Sequence, residues 1–443
     1  MREIQQPYPL MKRLCLPQKR KEGVSYRPSR HCMSLPLDDG FLLYQTMTGE
    51  MIHMTKDEWD HKETGRLHDE LIKRLFYVQE DFDECDYTDQ IQALAHGMLT
   101  DKKIITDFVV FTTMDCNARC FYCYELGRPR PSMSEKVARD TADYIKRVSG
   151  GEKVNIQWFG GEPLLNSRAI DLITDELSRT GTSFRSTMIT NGWLFDEALV
   201  IRAKEHWHLE KVQISLDGTE ETYNRAKAYL DRSESGFLRV MGNIGTLLDQ
   251  GIRVQIRLNM NDKNADEMLI LAKQLHDRFS EKSGLNVYPA VLMSFSGREV
   301  GLSESEKITV ENYRKLSEKL LELGLRKEKK LMSKLFLNSC MADDDSAVTI
   351  LPDGRIGKCE HESEDRLIGS IYTDTIDQNM VEAWRERLRT PACESCVIYP
   401  ICRHLKQCEW NRNGCSAVKR ETTIYSLLQK MRNTYEKAEK SEI

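Results

Sequence analysis

The 443-residue sequence predicts an α/β protein built on a parallel sheet, with a small N-terminal α/β module and a cysteine-rich C-terminal domain. Three observations predict it. Short runs rich in β-branched and aromatic residues alternate six times with amphipathic stretches between residues 107 and 291. Alternation of that kind, with short joins, gives parallel strands. The 13 cysteines are unevenly spread: three lie near residue 120, none between 124 and 339, and seven between 340 and 415. Finally, 40% hydrophobic and 30% charged residues is the composition of a folded, globular chain.

In chain order, residues 1–30 carry Pro7, Pro9, Pro17 and Pro28 among basic residues and predict a poorly ordered arm. Residues 40–55 read as two short strands around Gly49, followed by helices over 56–62 and 66–76. That module is compatible with a winged-helix peptide-binding domain, or with a packing extension of the next domain. The core strands are expected at 107–113, 153–159, 184–190, 211–216, 252–258 and 285–291, with helices at 133–148, 167–179, 196–205, 237–250 and 265–280. Residues 302–337 are Lys/Glu-rich and predict a solvated bridging helix. Residues 340–415 have little apolar periodicity, so metal is expected to hold them. A terminal amphipathic helix follows over 417–438. The resulting division is 1–104, 105–300, 301–338, 339–420 and 421–443.

The charge balance excludes several classes. With 64 basic and 69 acidic residues the net charge is −5, which leaves no electrostatic footprint for nucleic acid or an anionic membrane. No apolar run approaches the roughly 18 residues of a membrane span. The N-terminus is basic but lacks the apolar stretch of a secretory signal. A cytoplasmic location is therefore expected. In a large chain of that compartment, clustered cysteines read as ligands of a metal or cluster and not as disulfides.

Cys116, Cys120 and Cys123 form C-x3-C-x2-C directly after the first expected strand. Active groups in parallel sheets gather at the carboxyl ends of strands, so this loop lies at the functional mouth. Three thiolates on a four-iron cube leave one iron open, whereas a structural zinc site normally has four ligands. The string IQWFGGEP follows at the end of the second strand. There Gly160 and Gly161 permit close backbone approach to a ligand, Glu162 can accept a hydrogen bond from an amine, and Pro163 fixes the exit from the turn.

The cysteine loop after strand one, with GGEP after strand two, resembles the radical S-adenosylmethionine (SAM) superfamily. The resemblance covers residues 107–300 and implies a partial (β/α)6 barrel. It implies that Cys116, Cys120 and Cys123 hold a [4Fe–4S] cluster, that Tyr122 contacts the adenine of SAM, and that Gly160, Gly161 and Glu162 surround its methionine amine. Ser215, in QISLDGT, matches a SAM-contacting serine at the end of the fourth strand. Some relatives place an arginine twelve residues later, where this chain has Lys227, with Arg225 nearby. Asp217 is also read as ordinary turn chemistry at a strand end.

The seven later cysteines run Cys340, Gly354, Cys359, then Cys393-x2-Cys396-x5-Cys402-x5-Cys408-x6-Cys415. This resembles the SPASM extension of radical SAM enzymes, which carries two auxiliary [4Fe–4S] clusters. The last two spacings depart from the pattern common in relatives. The resemblance assigns Cys340, Cys359 and Cys408 to the first auxiliary cluster and Cys393, Cys396, Cys402 and Cys415 to the second, three clusters in all. His361 and His404 are candidates for a missing ligand. Glu360, next to Cys359, matches an acidic residue that can accept a proton in relatives that oxidise a protein side chain; its run CEHESED also reads as a solvated turn. Cys15, Cys32 and Cys85 lack ligand spacing and read as free thiols.

The leading expectation is a radical SAM/SPASM peptide maturase, similar to those of the streptide (lysine–tryptophan cross-linking) kind. Its partners would be a ribosomal precursor peptide, with its leader on the N-terminal module, and a reductant such as flavodoxin or ferredoxin. The alternatives are an anaerobic sulfatase-type maturase forming formylglycine and a non-catalytic zinc-binding interaction protein.

Overall fold

A computed structural model describes residues 1–15, 17–99, 104–292, 302–332, 340–361, 366–373, 375–402, 405–409 and 415–441. His404 lies outside them.

Six parallel strands form the core: Asp107–Thr113, Val154–Gly160, Phe184–Thr190, Leu209–Leu216, Arg253–Met260 and Leu285–Val291. They lie side by side in chain order. Alternation explains their two faces. Val154, Ile156 and Trp158 are buried in the helix-covered core, while Asn155 and Gln157 line an inner cavity. The intervening helices start where short polar side chains satisfy free backbone donors: Ser134, Asp196 and Ser235 accept from the N–H groups of Val137, Leu199 and Leu238. Helices Glu135–Val148 and Ser167–Arg179 pack on each other over the sheet.

The sheet is open, and it does not stop at the first core strand. Ala347–Ile350 adds in parallel beside Asp107–Thr113, with Val348 opposite Phe108. Arg355–Gly357 and Gly369–Ser370 then add antiparallel. Gly354, in the turn between Ala347–Ile350 and Arg355–Gly357, has φ +87°, which explains a glycine at that place in the cysteine-rich domain. The C-terminal domain is thus a continuation of the core sheet. Four residues, AVTI, are too short a run to announce this.

The N-terminal module is a four-stranded antiparallel sheet in the order Arg2–Gln5, Met51–Thr55, Gly40–Gln45, Cys32–Pro36. Helices Lys56–Asp60, Gly65–Lys73 and Glu84–Leu99 follow. The expected disordered arm is instead ordered. Glu3 pairs with Ile52, and Tyr8 is buried, with its hydroxyl 3.0 Å from that of Tyr44. Pro9 sits in the first turn of helix Pro9–Leu14, where a missing N–H costs nothing. The bridging helix, Glu304–Glu322, is not solvated all round: it buries Val310, Leu316 and Leu320 and packs against helices Ala265–Phe279 and Ala417–Ser441. Among the described residues, no helix is long and apolar enough to cross a membrane.

Candidate active site and cysteine centres

The loop after the first core strand carries Cys116, Cys120 and Cys123, and it is stitched to the end of helix Glu220–Lys227. The Arg119 N–H donates to Lys227 O (2.9 Å), and the Cys120 thiol lies 3.8 Å from the same oxygen. Asn191, after the third strand, donates to Asn117 Oδ1 (2.7 Å), and the Ala118 N–H points at Cys116 Sγ (3.4 Å). Among the described residues, no disulfide joins any of the cysteines. Burial pushes the Cys116 thiol up to about 12, with Glu162 and the other two thiols of the loop adding to it. Partly buried thiols without disulfide partners are a donor set that can give up its protons to an iron–sulfur group. Among the described residues, no three His, Cys, Asp or Glu side chains converge on a single metal ion.

Strand ends bring a second set of residues to the same place. Lys227 is 2% exposed, and its ammonium donates to Ser215 Oγ (2.7 Å) and Tyr122 Oη (3.0 Å) and lies 3.2 Å from Asp217 Oδ2. Burial lowers its pKa, but Asp217, Tyr122, Cys120 and Tyr223 together outweigh burial and hold it well above the lysine range. Asn259, at the end of the fifth strand, donates to Asp217 Oδ1 (2.9 Å) and Tyr122 Oη (3.3 Å). Its own Oδ1 is buried without a hydrogen-bond partner. Tyr122, Ser215 and Lys227, picked out in sequence, therefore meet at one point. Asp217 belongs to the same cluster, and Asn259 was missed. Its only sequence signal is a polar residue at the carboxyl end of a core strand.

The GGEP turn packs against the start of the cysteine loop. A Cβ on Gly160 would stand 2.0 Å from Thr113 O, and one on Gly161 2.3 Å from Asp115 O. The close approach is thus to the backbone leading into the cysteine loop. Glu162 is fully buried, and its carboxylate accepts from Thr190 Oγ1 (2.8 Å), the Asn191 N–H (2.8 Å) and the Leu164 N–H (3.2 Å). Glu162 ties the second strand end to the third.

In the C-terminal domain the thiols sort by proximity. Cys340, Cys359 and Cys408 are electrostatic neighbours of one another, and Cys415 has Cys393, Cys396 and Cys402 as its neighbours. Glu360 stands beside Cys340 and Cys359, and burial raises its carboxyl above the ordinary range. It lines, with Cys340, Gln157, Thr187 and Lys211, a cavity of about 650 Å³ at the amino ends of the core strands. Between this cavity and the Cys116 loop the inner face is filled by Phe111 and Phe159, packed edge-on 5.1 Å apart. His361 packs edge-on against Tyr124, with ring centroids 4.1 Å apart. The residue after Cys123 thus touches the second residue after Cys359.

Residues 110–275 match the Radical SAM superfamily. That stretch runs from the first core strand into helix Ala265–Phe279 and contains the cysteine loop, the GGEP turn and the Lys227 cluster. Over that stretch the chain is similar to a radical SAM domain, a family that implies SAM and a [4Fe–4S] cluster as cofactors.

Among curated relatives, an uncharacterized protein, MJ0907, of Methanocaldococcus jannaschii is 33% identical over 25% of this chain and 38% of its own length. The probable GTP 3′,8-cyclase of Archaeoglobus fulgidus is 24% identical over 66% of this chain and 98% of its own. The sporulation killing factor maturation protein SkfB of Bacillus subtilis is 26% identical over 37% of each. The chain thus spans little more than a third of MJ0907 and of SkfB. Among solved structures, anSMEcpe with bound AdoMet aligns with a TM-score of 0.57 at 15% identity, over 75% of this chain and 99% of that one. Streptococcus suis SuiB bound to precursor peptide SuiA aligns with a TM-score of 0.50 at 14% identity, over 87% and 96%. At such identities the likeness is one of fold.

Proposed function

We propose that this enzyme modifies a ribosomally made precursor peptide, forming an intramolecular carbon–carbon, thioether or ether cross-link. The reading is supported by the maturation protein SkfB among its relatives and by a fold shared with SuiB, which was solved with a precursor peptide. The observation that carries it is the placement of Glu360. A carboxylate with a raised proton affinity stands beside Cys340 and Cys359, and the next residue, His361, packs on Tyr124 of the Cys123 loop.

In this reading Cys116, Cys120 and Cys123 hold the SAM-binding cluster, and the two C-terminal thiol groups hold two auxiliary clusters. A cluster and SAM bound there would supply hydrogen-abstracting radical chemistry, with a one-electron reductant such as flavodoxin or ferredoxin as the source of the electron. Tyr122, Ser215, Asp217, Lys227 and Asn259 bind and orient the nucleoside and carboxylate ends of SAM. A cross-link removes two hydrogens from the peptide, one as an atom and one as a proton plus an electron. Glu360 would accept the proton, and the auxiliary cluster that Cys340, Cys359 and Cys408 would hold would accept the electron. The peptide's leader lies along an edge of the N-terminal sheet, where Arg2–Gln5 and Cys32–Pro36 each pair on one side only among the described residues.

The test is anaerobic turnover with a candidate peptide, read by mass spectrometry for a loss of two hydrogens. Glu360→Gln is expected to keep 5′-deoxyadenosine formation within about twofold while lowering cross-linked product at least tenfold, the usual size of a lost general base. Undiminished product from Glu360→Gln would remove it from the mechanism.

A further inference from the structure

The N-terminal module does more than abut the cysteine-rich domain: its side chains occupy the backbone carbonyls of the 393–402 loop. The buried Cys85 thiol donates to Cys393 O (3.5 Å), and Arg30 donates to Glu394 O (3.1 Å). Thr46 Oγ1 donates to Val397 O (2.7 Å), and Gln92 Nε2 donates to Pro400 O. The two remaining links come from Arg387. One arm of its guanidinium donates to Tyr399 O (2.6 Å) and Cys402 O (3.0 Å), and the other to Asp89 Oδ1 (2.7 Å) and Gln92 Oε1 (3.0 Å) of helix Glu84–Leu99. The same guanidinium lies 4.1 Å over the Tyr399 ring, whose hydroxyl donates to Asp89 Oδ2 (2.7 Å).

The loop's own N–H groups reach the carbonyls of Cys393, Cys396, Ile398 and Tyr399 in short 3-10 turns, which leaves the Glu394, Val397, Pro400 and Cys402 carbonyls to side-chain donors. For Glu394, Val397 and Pro400 those donors come from the N-terminal module, and for Cys402 from Arg387. The hydrophobic contacts agree. Cys85, Cys393 and Tyr399 share one buried cluster, and Ile398 packs with Met33, Leu42 and Met51 of the N-terminal sheet and with Leu427 and Met431 of the last helix. The loop carries three of the four thiols of the Cys393/Cys396/Cys402/Cys415 group.

We infer that the N-terminal module is a structural part of the second C-terminal cysteine site: it shapes the loop presenting Cys393, Cys396 and Cys402, with Arg387 as the positioning residue at the joint. A group bound by those thiols and a peptide bound on the N-terminal sheet are then linked, because each stabilises the same arrangement of the module against the loop. The peptide half of this inference rests on the proposed function; the loop half does not.

Two measurements on the anaerobically reconstituted full chain test the halves separately. The first is iron content with EPR spectroscopy. Arg387→Ala is expected to lose about four of about twelve irons, one cube's worth, while the SAM-binding cluster signal and SAM affinity persist. Thr46→Val with Gln92→Ala, a milder pair, is expected to broaden or shift the signal of the same cluster. Loss of all iron in Arg387→Ala together with an unchanged signal in the milder pair would overturn the inference, as would full iron in both. The second is peptide affinity by fluorescence anisotropy. Cys396→Ala is expected to weaken binding about fivefold and Cys340→Ala to leave it unchanged. Equal affinity of both variants with wild type would overturn the linkage. A wild-type protein that binds no candidate peptide would count against the proposed function and against the linkage, and the iron measurement would still decide the role of Arg387.

Discussion

Lys227 gives the site a positive charge without exposing it. It is held by Asp217 and Ser215 at the fourth strand's end and by Tyr122 in the cysteine loop, so it sets the relative placement of those two segments and its own helix. Lys227→Met leaves the Asp217 carboxylate buried and unpaired, which costs about 3 kcal/mol. The expected result is a lower unfolding midpoint and SAM binding at least tenfold weaker by calorimetry. Lys227→Arg, which keeps the charge, is expected to retain most of that affinity. Undiminished SAM binding by Lys227→Met would place the cofactor elsewhere. Glu162 shows why side-chain roles are harder to read than side-chain positions. Its location at a strand end beside the cysteine loop was legible in GGEP, but the donors that saturate it, Thr190 and Asn191, lie about 30 residues away and carry no motif.

The elements were legible where one rule governed them. Each core strand has one face under helices and one toward the interior, so β-branched and aromatic runs marked all six, with ends displaced by a residue or two. Helix Glu220–Lys227 escaped because EETYNRAK has little apolar periodicity; it is held by its ends, with left-handed Ala228 (φ +47°) closing it so that Lys227 turns back to the site. The N-terminal arm was misread because its prolines mark turns and a helix start, and its pairing partner, Met51–Thr55, lies some 50 residues on. Helix Glu84–Leu99 and the strand Cys32–Pro36 also enclose a titrating group. His31 is buried, and that burial lowers its pKa from 6.5 to about 4, although Glu84 4.0 Å away opposes the shift. The unfolded chain therefore takes up a proton between those values that the native chain does not. Stability is full above about pH 6.5 and falls as pH drops toward 4, by up to roughly 3 kcal/mol. Urea midpoints between pH 7.5 and 5 are expected to fall, and His31→Gln to flatten the slope; an equal slope in the variant would assign the effect to other groups.

At the scale of the whole molecule, the three regions read from the sequence are not three independent bodies. The C-terminal domain extends the core sheet through Ala347–Ile350, and the N-terminal module shares buried clusters with both the 393–402 loop and the last helix. The family resemblance, and not the spacing alone, implied the grouping of the C-terminal thiols, and the same thiols are electrostatic neighbours in the fold. Neither resemblance nor spacing revealed Arg387, Asp89 or Tyr399, which act across some 300 residues and look like ordinary surface side chains in the sequence. The molecule's architecture makes the Cys116 loop, at the carboxyl end of the first strand, the place where chemistry begins. The most direct test is SAM cleavage by the reconstituted, oxygen-protected protein given a strong reductant. Wild type is expected to release 5′-deoxyadenosine and methionine. Cys120→Ala is expected to release neither while keeping the iron of the C-terminal domain. Deoxyadenosine from Cys120→Ala at the wild-type rate, or none from wild type, would contradict the account.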